Sequence, residues 1–117
     1  VKKTMAENKE ISKEVQKEIL KFQNYQRQLQ MVDSQLQRLE IDLAQTDAAL
    51  MELEKAKGKT FKAIGTILIE EEPKQLKEEL NKKREETNNR IKTLKIQADR
   101  LQTRLEETQK NLQKDKQ

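Results

Sequence analysis

A chain of 117 residues with 32% hydrophobic, 39% charged and 3% aromatic side chains has too little apolar bulk for a layered globular core. It contains neither cysteine nor histidine, which excludes disulfides, thiolate nucleophiles, zinc sites built on those residues and imidazole acid–base catalysis. The formal charge of +4 lies entirely in the second half: residues 1–58 carry ten basic and ten acidic groups, residues 59–117 fifteen and eleven.

Those charges interleave with Glu throughout, as on a solvated helix face rather than a basic arm. A mean hydropathy of −1.11 is low enough for disorder. However, Ala, Glu, Lys, Leu and Arg make up roughly half the chain, and the apolar residues keep a heptad phase, which together indicate coiled coil. No apolar run approaches the roughly 18 residues of a membrane span, and residues 1–21 lack a signal-peptide core. A soluble, cytoplasmic protein is expected, with no membrane partner.

Residues 1–10 are charged and read as a frayed or disordered lead-in. The first coiled-coil helix is expected over 11–56. With Val15 at position a, the a series is Val15, Phe22, Leu29, Leu36, Leu43 and Leu50, all apolar. The d series is Ile11, Glu18, Tyr25, Val32, Leu39, Thr46 and Leu53, with two polar interruptions. So sustained a phase specifies a left-handed supercoil seam.

Residues 57–72 hold both glycines and, in Phe61–Ile69, the densest β-branched and aromatic run; the chain's proline follows at once. This stretch reads as a β-hairpin turning at Ile64-Gly65, with Phe61 and Ala63 on one strand face and Ile67 and Ile69 sharing a face of the return strand.

The second coiled-coil helix is expected over 73–117, with a frayed C-terminus. Pro73 suits a first helical turn, and Glu70, Glu71 and Glu72 beside it suit the positive end of the dipole. Three consecutive carboxylates cannot all face one ion, so capping explains them better than a metal site. The d series is Leu80, Thr87, Leu94, Leu101 and Thr108; the a series is Arg84, Ile91, Ala98, Leu105 and Leu112. Arg84 reads as a register device. Laid antiparallel, Leu29 meets Leu101, Leu36 meets Leu94, Leu43 meets Thr87 and Leu50 meets Leu80, all symmetric about Gly65.

The expected fold is therefore mainly α: a long antiparallel coiled-coil hairpin with one β-hairpin at the bend. A lone two-stranded hairpin is marginal in water. Phe61, Ala63, Ile64, Ile67, Leu68 and Ile69 are more apolar groups than two helices can cover, and both strand edges are unpaired. Hairpins from several subunits should close into a shared sheet or barrel, making an obligate oligomer.

The segment Phe61-Lys62-Ala63-Ile64-Gly65-Thr66-Ile67-Leu68-Ile69, flanked by two coiled-coil helices, resembles the aromatic-Lys-x-x-Gly-x-Ile/Val-Leu-Ile/Val hairpin of β-class prefoldin subunits. The resemblance covers the chain after Glu10. It implies a hexamer of two α-class and four β-class subunits, with a double β-barrel platform and six coiled-coil arms. It further implies ATP-independent capture of unfolded proteins between the arm tips and their delivery to a cytosolic group II chaperonin.

Carried over by position, the tips are residues 1–22 and about 105–117. Ile19 and Leu20 fall outside the seam there, while Glu18 sits at a core position. That frustration would expose Ile19 and Leu20, with Ile11, Val15 and Leu112, for loose client binding; the bland alternative is that Ile19 takes over the seam. No catalytic constellation and no cofactor motif is present, so a non-enzyme without cofactors is expected. A nucleic-acid-clasping arm would need a basic, aromatic-bearing stripe, which is missing. A purely structural tether would leave the Phe61–Ile69 hairpin unexplained.

Overall fold

The computed structural model describes the backbone of residues 2–115 and the side chains of residues 13–114. Element order is α1 (Lys2–Lys55), β1 (Thr60–Ile64), β2 (Ile67–Glu71) and α2 (Pro73–Asp115). The helix thus begins upstream of the expected start at Ile11. No Gly or Pro interrupts residues 2–55, and the Lys, Met, Ala and Glu that make up most of residues 2–10 are good helix formers.

Breakers set the remaining boundaries. α1 closes with Lys55 in its last turn, where a cation complements the carbonyl end of the dipole. Gly58 follows at φ +136°, a conformation for glycine alone. At the other side, Pro73 is the first residue of α2, and the Glu72 carbonyl accepts the Leu76 N–H at 3.1 Å. Only Glu72 of the acidic run therefore abuts the helix start. Glu70 and Glu71 belong to β2.

The chain forms two compact units, each considered by itself: residues 1–35 with 94–117, and residues 36–93. In the first, Leu101, Leu105 and Thr108 of α2 are buried, and Phe22, Tyr25, Leu29 and Val32 of α1 are half-buried. The Arg104 guanidinium lies 5.8 Å from the Tyr25 ring centre, one residue from the antiparallel register expected. In the second, Leu76, Ile91, Thr46 and Thr87 are buried. Asp47 Oδ1 and Arg84 Nε pair at 2.9 Å, again within one residue of that register.

Among described residues, every a and d position of the heptads is buried or half-buried except Arg84. Arg84 swings out of the seam to Asp47 because a guanidinium cannot be desolvated cheaply. Two of the seam threonines satisfy themselves locally: Thr46 Oγ1 donates to the Asp42 carbonyl at 2.8 Å, and Thr108 Oγ1 to the Leu105 carbonyl at 2.9 Å.

Candidate functional site

The hairpin is built on a two-residue loop. Ile64 pairs with Ile67, so the loop is Gly65-Thr66 rather than Ile64-Gly65. Gly65 has φ +59°, and among the described residues no non-glycine residue has positive φ. That is the type II′ turn, which takes glycine at its first central position and matches the twist of the strands. A loop of this length also sets the register: Phe61 opposite Glu70, Lys62 opposite Ile69, and Ala63 opposite Leu68.

Directly opposed residues share a sheet face. One face therefore carries Phe61, Ala63, Leu68 and Glu70; the other carries Thr60, Lys62, Ile64, Ile67, Ile69 and Glu71. Both faces are apolar near the turn. The five large apolar side chains run from 48% exposed at Ile69 to 69% at Leu68, and Ala63 is exposed as well. The pair flanking a two-residue loop is hydrogen-bonded, and such pairs alternate along the ladder. The backbone groups of Phe61 and Ala63 thus point outward from one edge, and those of Leu68 and Glu70 from the other.

Beneath β1 lies an apolar groove of about 540 Å³, lined among others by Ala49, Leu53, Ala56, Phe61, Leu76 and Leu80. Leu76 stands outside the heptad seam, but its i, i+4 spacing to Leu80 marks the same helix face. Two polar ties hold the hairpin: Thr60 Oγ1 donates to the Glu71 carbonyl, and Lys62 Nζ donates to Glu79 Oε2 at 2.9 Å. The Lys62–Glu79 contact is not predictable from periodicity, because it joins a strand to a helix.

The Lys62 hydrogen bond holds the Glu79 carboxyl below the usual carboxylate range, and the same bond lifts Lys62 above its ordinary value. Glu71 moves the other way, raised first by desolvation and then by its hydrogen bond and like charge with Glu79. The depressed Glu79 pKa contributes stability above its unfolded value that is lost as pH falls through the folded one. The raised Lys62 pKa contributes below its unfolded value and is lost as pH rises through the folded one. Raised Glu71 favours the folded state while protonated, a contribution lost as pH rises through its folded pKa. The tie itself therefore spans the neutral range. In an NMR titration of the side-chain carboxyls, Glu79 should have its midpoint below the ordinary value of about 4.3, and Lys62→Met should raise it. An identical midpoint in both chains would refute the tie.

At the other candidate surface, α1 presents Ile19 and Leu20 at 38% and 64% exposed, while Val15 and Leu112 are half-buried. Ile11 lies outside the residues whose side chains are described. Ile19 does not take over the seam; Glu18 stays in it, half-buried. Among the described residues no cluster could hold a metal ion, and no helix is long and apolar enough to cross a membrane.

The family described as "Prefoldin subunit" matches residues 16–117. The crystal structure of the prefoldin beta subunit from Thermococcus strain KS-1 is similar, with a TM-score of 0.78 and 28% identity, covering 86% of this chain and 90% of that one. No curated protein matches.

Proposed function

The chain belongs to the prefoldin subunit family, a family of chaperones, and from that premise we propose that it is a β-class subunit of a hetero-oligomeric holdase. Support for the class comes from the single hairpin between two helices and from the likeness to an archaeal beta subunit.

The observation that carries the proposal is the hairpin, which exposes apolar side chains on both faces and unpaired backbone on both edges. It takes its place beside other prefoldin subunits, two α-class and four β-class in all, by strand pairing into barrels. The helices then serve as arms whose ends capture unfolded clients for a group II chaperonin. Several weak contacts on one client act together through effective concentration, so no arm needs a deep pocket. Nothing in this cycle uses a nucleotide.

Ile19 and Leu20 are the contacts we assign to clients at the arm ends. In the assembled oligomer, Ile19→Ser with Leu20→Ser should leave the subunit stoichiometry intact and cut suppression of client aggregation several-fold. Full suppression by that variant would remove these residues from the client surface.

A further inference from the structure

We infer that Glu18 is a built-in weak point of the helix seam, which lets the ends of α1 and α2 part and turn their apolar side chains toward a client. This rests on the client-capture reading above and adds to it a residue that acts through the seam rather than by contact.

Glu18 occupies a d position between Val15 and Phe22, where an aliphatic side chain would close the seam. Its side chain is 19% exposed. Oε2 is buried without any hydrogen-bond partner, the one such side-chain atom among the described residues. Oε1 has only Lys21 Nζ, at 3.6 Å and from a side chain that is 60% exposed, beyond hydrogen-bond distance.

Donors stand nearby: Lys17, Lys21, Asn111 and Lys114 line the same polar cleft with Glu14 and Glu18. None reaches Oε2. The contrast with Thr46 and Thr108 is informative, because those hydroxyls return to their own helix backbone and need nothing from the partner helix. A carboxylate at 18 cannot do the same, and a buried acceptor without a donor is unfavourable until water reaches it. Parting the helices there hydrates Glu18 and separates side chains that are only half-buried, Val15 and Leu112 among them. Local opening of this kind is the low-stability end of a native ensemble. Opening frees Val15 and Leu112, both half-buried when closed, to join the already exposed Ile19 and Leu20.

The test compares wild type, Glu18→Leu and Glu18→Gln, each in the assembled oligomer, by hydrogen exchange of peptides covering 13–25 and 105–114 and by suppression of client aggregation. Expected for Glu18→Leu is exchange slowed by about tenfold with capture weakened several-fold; Glu18→Gln, uncharged but polar, should fall between. Unchanged or faster exchange in Glu18→Leu overturns the inference, as does slowed exchange with undiminished capture. Exchange is read without client. A wild-type assembly that captures no client therefore overturns the proposed function, while the exchange comparison still decides whether Glu18 loosens the seam.

Discussion

Leu68→Asp with Ile67→Asp should abolish assembly: mixed with an α-class partner, the variant should run as a lone subunit in native mass spectrometry where the parent chain forms a complex. Ile67 and Leu68 lie on opposite faces of the hairpin and are both largely exposed in the single chain. The substitutions therefore leave the isolated fold intact, and helicity by circular dichroism should not change. In a strand-paired barrel each residue would be desolvated, and an unpaired carboxylate in an apolar setting costs several kcal/mol. A loss of at least about a thousandfold in association follows from roughly 4 kcal/mol. Ile41→Asp is the control, since Ile41 is an exposed apolar residue on α1 outside the hairpin; it should assemble normally. Wild-type stoichiometry with the doubly charged hairpin would sink the barrel reading.

The second large effect concerns the chain's own stability. Ile91 is 6% exposed, so Ile91→Ala leaves a gap in a seam with few apolar layers and should cost about 2–3 kcal/mol. Thermal unfolding should shift down by roughly 10 °C. Arg84→Ala offers the contrast. Its ion pair with Asp47 is short, but both side chains are about half exposed, and exposed pairs contribute about 0–1 kcal/mol. Thermal melts of the two variants decide between them. If Arg84→Ala proved the more damaging, the seam would depend on that ion pair rather than on its apolar layers.

Both predictions draw on features of different legibility. The seam could be read from the chain because a heptad repeat is a local pattern: Leu29, Leu43 and Ile91 declare their face by spacing alone. The hairpin was legible for the same kind of reason, since Gly65 and the β-branched run around it are local signals. One residue of turn placement was not. Gly65 fits more than one position of a tight turn, and only the Ile64–Ile67 pairing selects Gly65-Thr66. That choice keeps Ile64 in the strand opposite Ile67 and sets Ala63 opposite Leu68 and Phe61 opposite Glu70. The Lys62–Glu79 tie and the groove over Leu76 could not be read either, because each joins a strand to helix residues of no shared period.

The helix start at Lys2 was less legible, because the sparse apolar content there carries no heptad phase although nothing in the segment breaks a helix. Glu18 shows a third case. Its spacing marked it as a polar residue at a core position, yet two outcomes were open: Ile19 could rotate into the seam, or Glu18 could remain there.

Periodicity and turn chemistry along the chain, being properties of neighbours, were enough to determine two antiparallel helices about a glycine-centred β-hairpin. Which carboxylate oxygen lies buried without a donor, which edge presents which backbone groups, and which lysine anchors the hairpin were decided only by the folded chain. Each of those depends on distances between residues far apart in sequence, and no local pattern encodes them.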